Sequence, residues 1–250
     1  VDAAALTQAV TRAFPDWRRA AAPQRELAPP PRVTGRRVLL IDQPGAAQTY
    51  FWLANAGVAR QFADRAALDV VNTLYGGRFT SILNTELRIK SGLSYGAGSG
   101  FTRGTVPGEF AIRSFTKMDA TGRAIDLALG TLEHLHKNGV KDDMLLSARA
   151  YVLGQFPLQL ETSAHWVAAL TELELYGLDR SYIDGYAAAV EAVTPAAATR
   201  VIAEAFPPAG DLVIVVIGDA AKIRSVVAKY GPVTRTTIAA PDFRALPRGG

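Results

Sequence analysis

Residues 76–95 read GGRFTSILNTELRIKSGLSY, and this stretch decides how the rest of the chain is interpreted. The pair Gly76-Gly77 interrupts the helical pattern before it, and a short helix fits the residues that follow. Gly92 permits the chain to turn before Tyr95, where a strand-like run begins. The spacing therefore predicts that Arg88, near the end of the helix, and Tyr95 can lie at one edge of a sheet.

Arg88 and Tyr95 both carry hydrogen-bond donors that suit peptide hydrolysis. A phenol hydroxyl can stabilise the oxyanion that develops on an attacked carbonyl. The planar guanidinium of arginine suits the carbonyl oxygens of an extended peptide. Spacing alone leaves a second interpretation open, in which Arg88 is a surface residue and Tyr95 is a half-buried strand residue.

The pattern GG-x-F-[TS]-S-x-L-x-x-x-L-R-x-K-x-G-L-x-Y is similar to the C-terminal-half motif of the insulinase/pitrilysin-type zinc peptidases, the inverzincins. The upstream run VLLIDQPGAAQT and the downstream run YGAGS also resemble this family, and the resemblance covers roughly residues 36–230. It implies that Arg88, with Phe79 and Gly92, binds substrate. It further implies that Tyr95 stabilises the tetrahedral intermediate.

The zinc motif of that family, H-x-x-E-H, is missing from this chain. His134 and His136 are two residues apart, about 200° around a helix, so they cannot share one metal. Glu133 and His136 form one E-x-x-H pair, whereas a di-iron bundle needs two. His165 is isolated beside a tryptophan. We therefore predict no metal ligand and no cofactor in this chain, and the resemblance implies zinc in a partner half.

Other site types find little support in the sequence. Zero cysteines exclude disulfides, thiolate zinc sites and cysteine nucleophiles. Residues 213–218 lack the later glycines of a dinucleotide-binding turn, and no G-x-S-x-G elbow surrounds a serine. The net charge of +4 comes from scattered Lys and Arg residues, which argues against nucleic-acid binding. No apolar run approaches the ~18 residues of a membrane span.

Four segments are expected along the chain. Residues 1–22 are interpreted as a terminal helix left from a preceding homologous domain, and residues 23–35 as a proline-rich linker. Residues 36–232 are expected to form the inverzincin-type domain, and residues 233–250 a loose tail. The first of these expectations rests on a similarity between the run after Asp2 and the run after Asp219. Any two amphipathic helices can share such a pattern, so this alternative stays open.

The predicted fold is α+β: a metallopeptidase-type roll with a mostly antiparallel sheet and helices packed on one face. A hairpin formed by the runs 95–101 and 109–116 favours antiparallel pairing over a β-α-β arrangement. Helices are expected at 121–138, 142–155, 163–176 and 194–205, with a buried strand at 212–217.

The resemblance implies a function shared between two halves. This chain would be the C-terminal half of a bacterial zinc metalloendopeptidase and would be inactive alone. A homologous zinc-bearing half, in the same precursor or as a heterodimer partner, would complete a chamber around the peptide substrate. The alternative is a non-catalytic scaffold or binding subunit of the same fold. Relatives of this type are often exported, so a periplasmic location is expected.

Overall fold

The computed structural model describes residues 2–17 and 27–239, which form one six-stranded sheet and a layer of helices. The strands are β1 (Arg37–Asp42), β2 (Gln48–Ala56), β3 (Ala97–Arg103), β4 (Pro107–Lys117), β5 (Val213–Gly218) and β6 (Val233–Thr237). The helices are α1 (Ala3–Ala13), α2 (Arg65–Asn72), α3 (Ile82–Asn84), α4 (Thr121–Asn138), α5 (Asp142–Gln155), α6 (Ser163–Tyr176), α7 (Ser181–Asp184), α8 (Tyr186–Glu191), α9 (Pro195–Ala205) and α10 (Ala220–Val227). Wider π-helical turns follow α2, at Thr73–Gly77, and α3, at Thr85–Lys90.

The sheet has the strand order β3-β4-β2-β5-β1-β6. β3, β4, β2 and β5 pair antiparallel, whereas β1 pairs parallel with both β5 and β6. The predicted α+β fold is therefore confirmed, and the 95–116 hairpin is present as β3 and β4. The parallel pairings arise because β1 lies between β5 and β6, which run in the same direction as a β-α-β unit connected through α10.

The helices cover one face of this sheet. On β2, Phe51 and Leu53 are fully buried beneath them, while Tyr50 and Trp52 point to the other face and are exposed. This alternation follows from the two-residue period of a strand, which sends successive side chains to opposite faces. The outer face therefore carries an aromatic group in which Tyr50 stacks on Phe115 at 5.4 Å between ring centroids.

Several predicted helices agree with the structure. Thr121–Asn138, Asp142–Gln155 and Ser163–Tyr176 are helical as predicted, and Gly139 follows the first of them with a positive φ of 62°. The short helix expected after Gly76-Gly77 is present over residues 82–90, as regular α-helix in Ile82–Asn84 and as the wider π-helical turn in Thr85–Lys90. No helix in the described ranges is long and apolar enough to cross a membrane.

The C-terminal region differs from the predicted loose tail. Val233–Thr237 form β6, which pairs with β1 at the edge of the sheet. Three threonines and a valine favour strand, but this run carries little apolar pattern, so the sequence did not reveal it. Residues 240–250 lie outside the described residues, as do residues 18–26 of the terminal segment and predicted linker. Residues 27–35 carry neither helix nor strand.

α1 begins after Asp2, whose carboxylate accepts hydrogen bonds from the backbone N–H groups of Ala4 and Ala5. None of its residues is buried. The side chains of Leu6 and Val10 are 53% and 51% exposed. The apolar side of this helix is therefore uncovered within the described part of the chain.

Asp42 connects three elements at the end of β1. Its carboxylate accepts hydrogen bonds from the backbone N–H of Ala220, at 2.8 Å, and from Arg235 Nη2 on β6, at 2.5 Å. The first of these bonds lies at the N-terminus of α10, where a negative charge is favourable. These two hydrogen bonds lower the pKa of Asp42 from its usual value, and the bond from the Ala220 backbone has the larger effect.

We predict that Asp42→Asn lowers the melting temperature at neutral pH, because asparagine cannot form the ion pair with Arg235. Because the pKa of Asp42 is lower in the folded state, its carboxylate stabilises the protein above the unfolded-state pKa of about 3.9. This stabilisation is lost as the pH falls through the folded-state pKa. The melting-temperature difference from wild type should therefore shrink below about pH 4. Asp16→Asn, at an exposed position, is the control, and an equal loss in both variants would contradict the role of Asp42.

Candidate active site

The structure brings three of the predicted site residues together. The Arg88 guanidinium lies 4.7 Å from the centroid of the Phe79 ring and 4.8 Å from that of Tyr95. Tyr95 and Phe79 are 76% and 61% exposed, whereas Arg88 is half-buried between them. Cation–π contact restricts the motion of the guanidinium without using its hydrogen-bond donors. Arg88 is thereby held in place with its donors available to a ligand.

A tight turn connects Arg88 to Tyr95. Gly92 adopts a left-handed φ of 63°, which glycine reaches without steric cost. The backbone N–H of Ser94 then donates to the carbonyl of Leu87, which is fully buried, at 3.0 Å. Gly92 thus shapes the turn, and its contact with substrate stays a prediction.

Hydrogen bonds from β4 fix the segment on which Tyr95 lies. The hydroxyl of Ser94 accepts from the backbone N–H of Gly96 at 3.0 Å and from the hydroxyl of Ser114 at 2.9 Å. Thr116 Oγ1 donates to the carbonyl of Leu93 at 2.5 Å. Both neighbours of Tyr95 are therefore attached to the sheet while its own side chain projects into solvent.

Asn84 links the helical and strand parts of the site. Its side-chain oxygen accepts from the backbone N–H of Ala97 at 3.2 Å, and its nitrogen donates to the carbonyl of Phe79 at 2.6 Å. One buried side chain therefore joins the first residue of β3 to the loop that carries Phe79.

Gly76 is pressed against the edge strand β3. A Cβ at this position would lie 2.3 Å from Ser99 Oγ and 2.4 Å from Ser99 N, closer than any real contact. Ser99 is itself bonded to Asn72, since its hydroxyl donates to Asn72 Oδ1 at 2.7 Å. Packing therefore requires a glycine at position 76. The contact at Gly77 is less severe, since a Cβ added there would lie 3.1 Å from the carbonyl oxygen of Asn72.

The two tyrosines near the motif occupy different environments. Tyr75 is fully buried, its hydroxyl lies 3.3 Å from that of Thr131, and burial raises its pKa. Tyr95 is exposed beside Arg88. Of these two phenols, only that of Tyr95 is open to a substrate.

The three histidines lie apart from this site. His136 Nε2 is 3.1 Å from the carbonyl of Pro207, and His134 Nδ1 is 3.0 Å from Asn138 Nδ2 on the same helix. His165 is on α6. Within residues 2–17 and 27–239, no three His, Asp or Glu side chains form a group that could hold a metal ion.

The sequence did not single out the residues that support the site. Asn84, Ser94 and Ser114 are polar residues whose side chains are buried. A buried polar side chain needs a partner, so polar residues at core positions are a signal that could have identified them.

Comparisons of sequence and of structure with known proteins point to the same family. The family model described as the peptidase M16 inactive domain matches residues 1–151. An uncharacterised zinc protease of Streptomyces coelicolor is 28% identical over 149 residues, which are 59% of this chain and 32% of that protein. The chain therefore spans only about a third of the length of this curated relative.

Solved structures show the same similarity in the fold. The peptidase M16 inactive domain from Pseudomonas fluorescens superposes with a TM-score of 0.77 at 26% identity, covering 87% of this chain and 51% of that one. A chain of complex III from Candida albicans gives a TM-score of 0.71 at 14% identity, covering 94% of this chain and 57% of that one. At this low identity the second similarity concerns the fold alone.

We predict that Gly76→Ala lowers the free energy of unfolding by about 1–3 kcal/mol, as overpacking does in a well-packed interior. Urea denaturation of wild type and variant measures the difference. Gly130→Ala is the matched control, because this α4 position has no atom within 4 Å of an added Cβ. In a helix interior the same change should be stabilising, by up to about 1 kcal/mol. Equal effects at both positions would contradict the close packing at Gly76.

Proposed function

Because this chain belongs to the peptidase M16 inactive-domain family, we propose that it is the zinc-free half of a two-part zinc metalloendopeptidase. It binds extended peptide and stabilises the tetrahedral intermediate, while a homologous half supplies zinc and the attacking water. Zinc-bound water is the nucleophile that such a metal provides.

The observation that carries this proposal is the pairing of Arg88 with Tyr95. In the described ranges no carboxylate lies within 4.0 Å of Arg88, which contacts the rings of Phe79 and Tyr95 instead. Its guanidinium is free to hold peptide carbonyls, and the Tyr95 hydroxyl is free to donate to an oxyanion. Phe79 completes the site as an exposed apolar contact for a substrate side chain.

The exposed side of α1 supports a homologous partner half. Leu6 and Val10 align without gaps with Ile223 and Val227 of α10, each helix beginning at an aspartate N-cap. In α10 these two residues are 1% and 0% exposed, against 53% and 51% in α1. We infer that α1 is the equivalent of α10 in a preceding homologous domain and packs against that domain.

A non-catalytic subunit is the second candidate, since the Candida albicans complex III chain has the same fold. A scaffold has no use for an unpaired arginine beside an exposed tyrosine, so the site favours the peptidase. Co-purification separates the two: a partner carrying H-x-x-E-H supports the peptidase, and a partner without it supports the scaffold. A periplasmic location remains part of the proposal and rests on the resemblance alone.

We predict that Tyr95→Phe lowers kcat by about 10²–10³-fold in the complex with the zinc-bearing half, because an oxyanion donor acts in the transition state. KM should change far less, since the ground-state carbonyl carries little charge. Steady-state hydrolysis of a fluorogenic peptide measures both constants. Tyr151→Phe, on the exposed side of α5, is the control. An unchanged kcat for Tyr95→Phe would refute the assigned role.

We further predict that the chain by itself binds no stoichiometric zinc and cleaves no peptide. Elemental analysis after dialysis measures bound metal, and the same peptide assay measures activity. About one equivalent of tightly bound zinc, the occupancy of a built site, would overturn the assignment of zinc to the other half.

A further inference from the structure

A cleft in the helical layer contains an unusual group of arginines. It has a volume of about 280 Å³, and its charged lining includes Arg60, Arg65, Arg103, Asp69 and Glu172. We propose that this cleft binds a small oxyanion, a carboxylate or a phosphate, with Arg65 as its principal ligand. This site is separate from the proposed peptidase function and does not depend on it.

The positive charges in the cleft exceed the negative ones. Arg60 forms a salt bridge with Glu172, and Arg103 Nη2 donates to Asp69 Oδ1 at 2.8 Å. Arg65 is the third guanidinium, and no carboxylate of the described residues lies within 4.0 Å of it. A partly buried arginine without a counter-ion is costly, and an anionic ligand would supply the missing charge.

Two tyrosines hold Arg65 in a fixed orientation. Its guanidinium carbon is 3.5 Å from the ring centroid of Tyr182 and 4.2 Å from that of Tyr186. One terminal nitrogen donates to the carbonyl of Tyr182 at 2.8 Å. A guanidinium that stacks on aromatic rings keeps its edge available, and that edge matches the oxygens of a carboxylate or phosphate.

Tyr186 is itself immobilised as a neutral phenol. Its hydroxyl donates to Asp69 Oδ2 at 2.7 Å. Burial, followed by the nearby Asp69 carboxylate, raises the pKa of Tyr186. The ring that supports Arg65 therefore adds no negative charge that would compete with an anion.

The cleft also has hydrogen-bonding capacity that the described residues do not use. Arg60 Nε, Arg103 Nη1 and the Tyr182 hydroxyl are buried and have no hydrogen-bond partner among these residues. Buried polar groups are nearly always paired in folded proteins. A ligand that enters the cleft and draws these side chains toward it would provide the acceptors they lack.

Size and position restrict the ligand. The volume of 280 Å³ falls below the ~300–1,000 Å³ of pockets that hold drug-sized molecules, so a small anion fits. Arg103 ends β3, whereas Tyr95 precedes its first residue. At ~3.3 Å per residue, the strand separates the cleft from the candidate active site by roughly 20 Å.

Isothermal titration of the 250-residue chain tests the proposal, with sodium phosphate and sodium succinate as separate probes at constant ionic strength. We expect saturable one-to-one binding of at least one probe, and the preferred probe identifies the ligand as a phosphate or a carboxylate. Arg65→Gln should weaken binding about tenfold or more, because it removes charge-assisted hydrogen bonds. Arg65→Lys, which keeps the charge without the fork, should give an intermediate loss.

Arg123→Gln is the matched control, since this exposed α4 arginine lies outside the cleft and its loss changes the net charge equally. Saturable binding by neither probe, or equal weakening by Arg65→Gln and Arg123→Gln, would overturn the proposal. If Arg65→Gln fails to fold by circular dichroism, arginine side-chain NMR of wild type decides. Titration must then shift the Nε–H signals of the cleft arginines, and an unmoved Arg65 signal refutes the site.

Discussion

The close approach of Gly76 to Ser99 is the constraint on which the candidate active site depends. It places the loop after α2 directly on the edge strand β3, with no room for any side chain at Gly76. The loop leaving this contact carries Phe79 and leads into the helix that carries Arg88, while β3 is preceded by Tyr95. The three side chains come from two segments that are joined at this contact and by the hydrogen bonds of Asn84, and this explains how side chains near the surface acquire a defined arrangement.

The candidate site was accessible from sequence because it is local. Arg88 and Tyr95 are seven positions apart, and a glycine turn is sufficient to bring them together. Strongly periodic helices such as Thr121–Asn138 were likewise predictable, since eight of its residues are buried in a helical pattern and a glycine follows it. The strand β6 was not predicted, because its own residues carry little apolar pattern. It is stabilised by pairing with β1, which lies almost 200 residues earlier in the chain.

The arginine cleft shows the same limit more clearly. Arg65 begins α2, Arg103 ends β3, and Glu172 lies on α6, so no spacing along the chain brings them together. The group forms because Arg60 pairs with Glu172 of α6, while Arg65 stacks on Tyr186 of α8. β3 contributes to both features, since Tyr95 stands before its first residue and Arg103 is its last. A single edge strand therefore lies beside the candidate active site at one end and beside the arginine cleft at the other.

The uncovered side of α1 has a thermodynamic consequence. Its 11 residues fall below the ~12–15 at which an isolated helix is stable in water, and none of them is buried. Most helical stability in proteins comes from packing an apolar face, so under the proposed assignment α1 draws its order from the preceding homologous domain, which would cover Leu6 and Val10. In that arrangement the segment would couple its own folding to docking, and the entropy lost on ordering would offset part of the free energy gained by burying its apolar side.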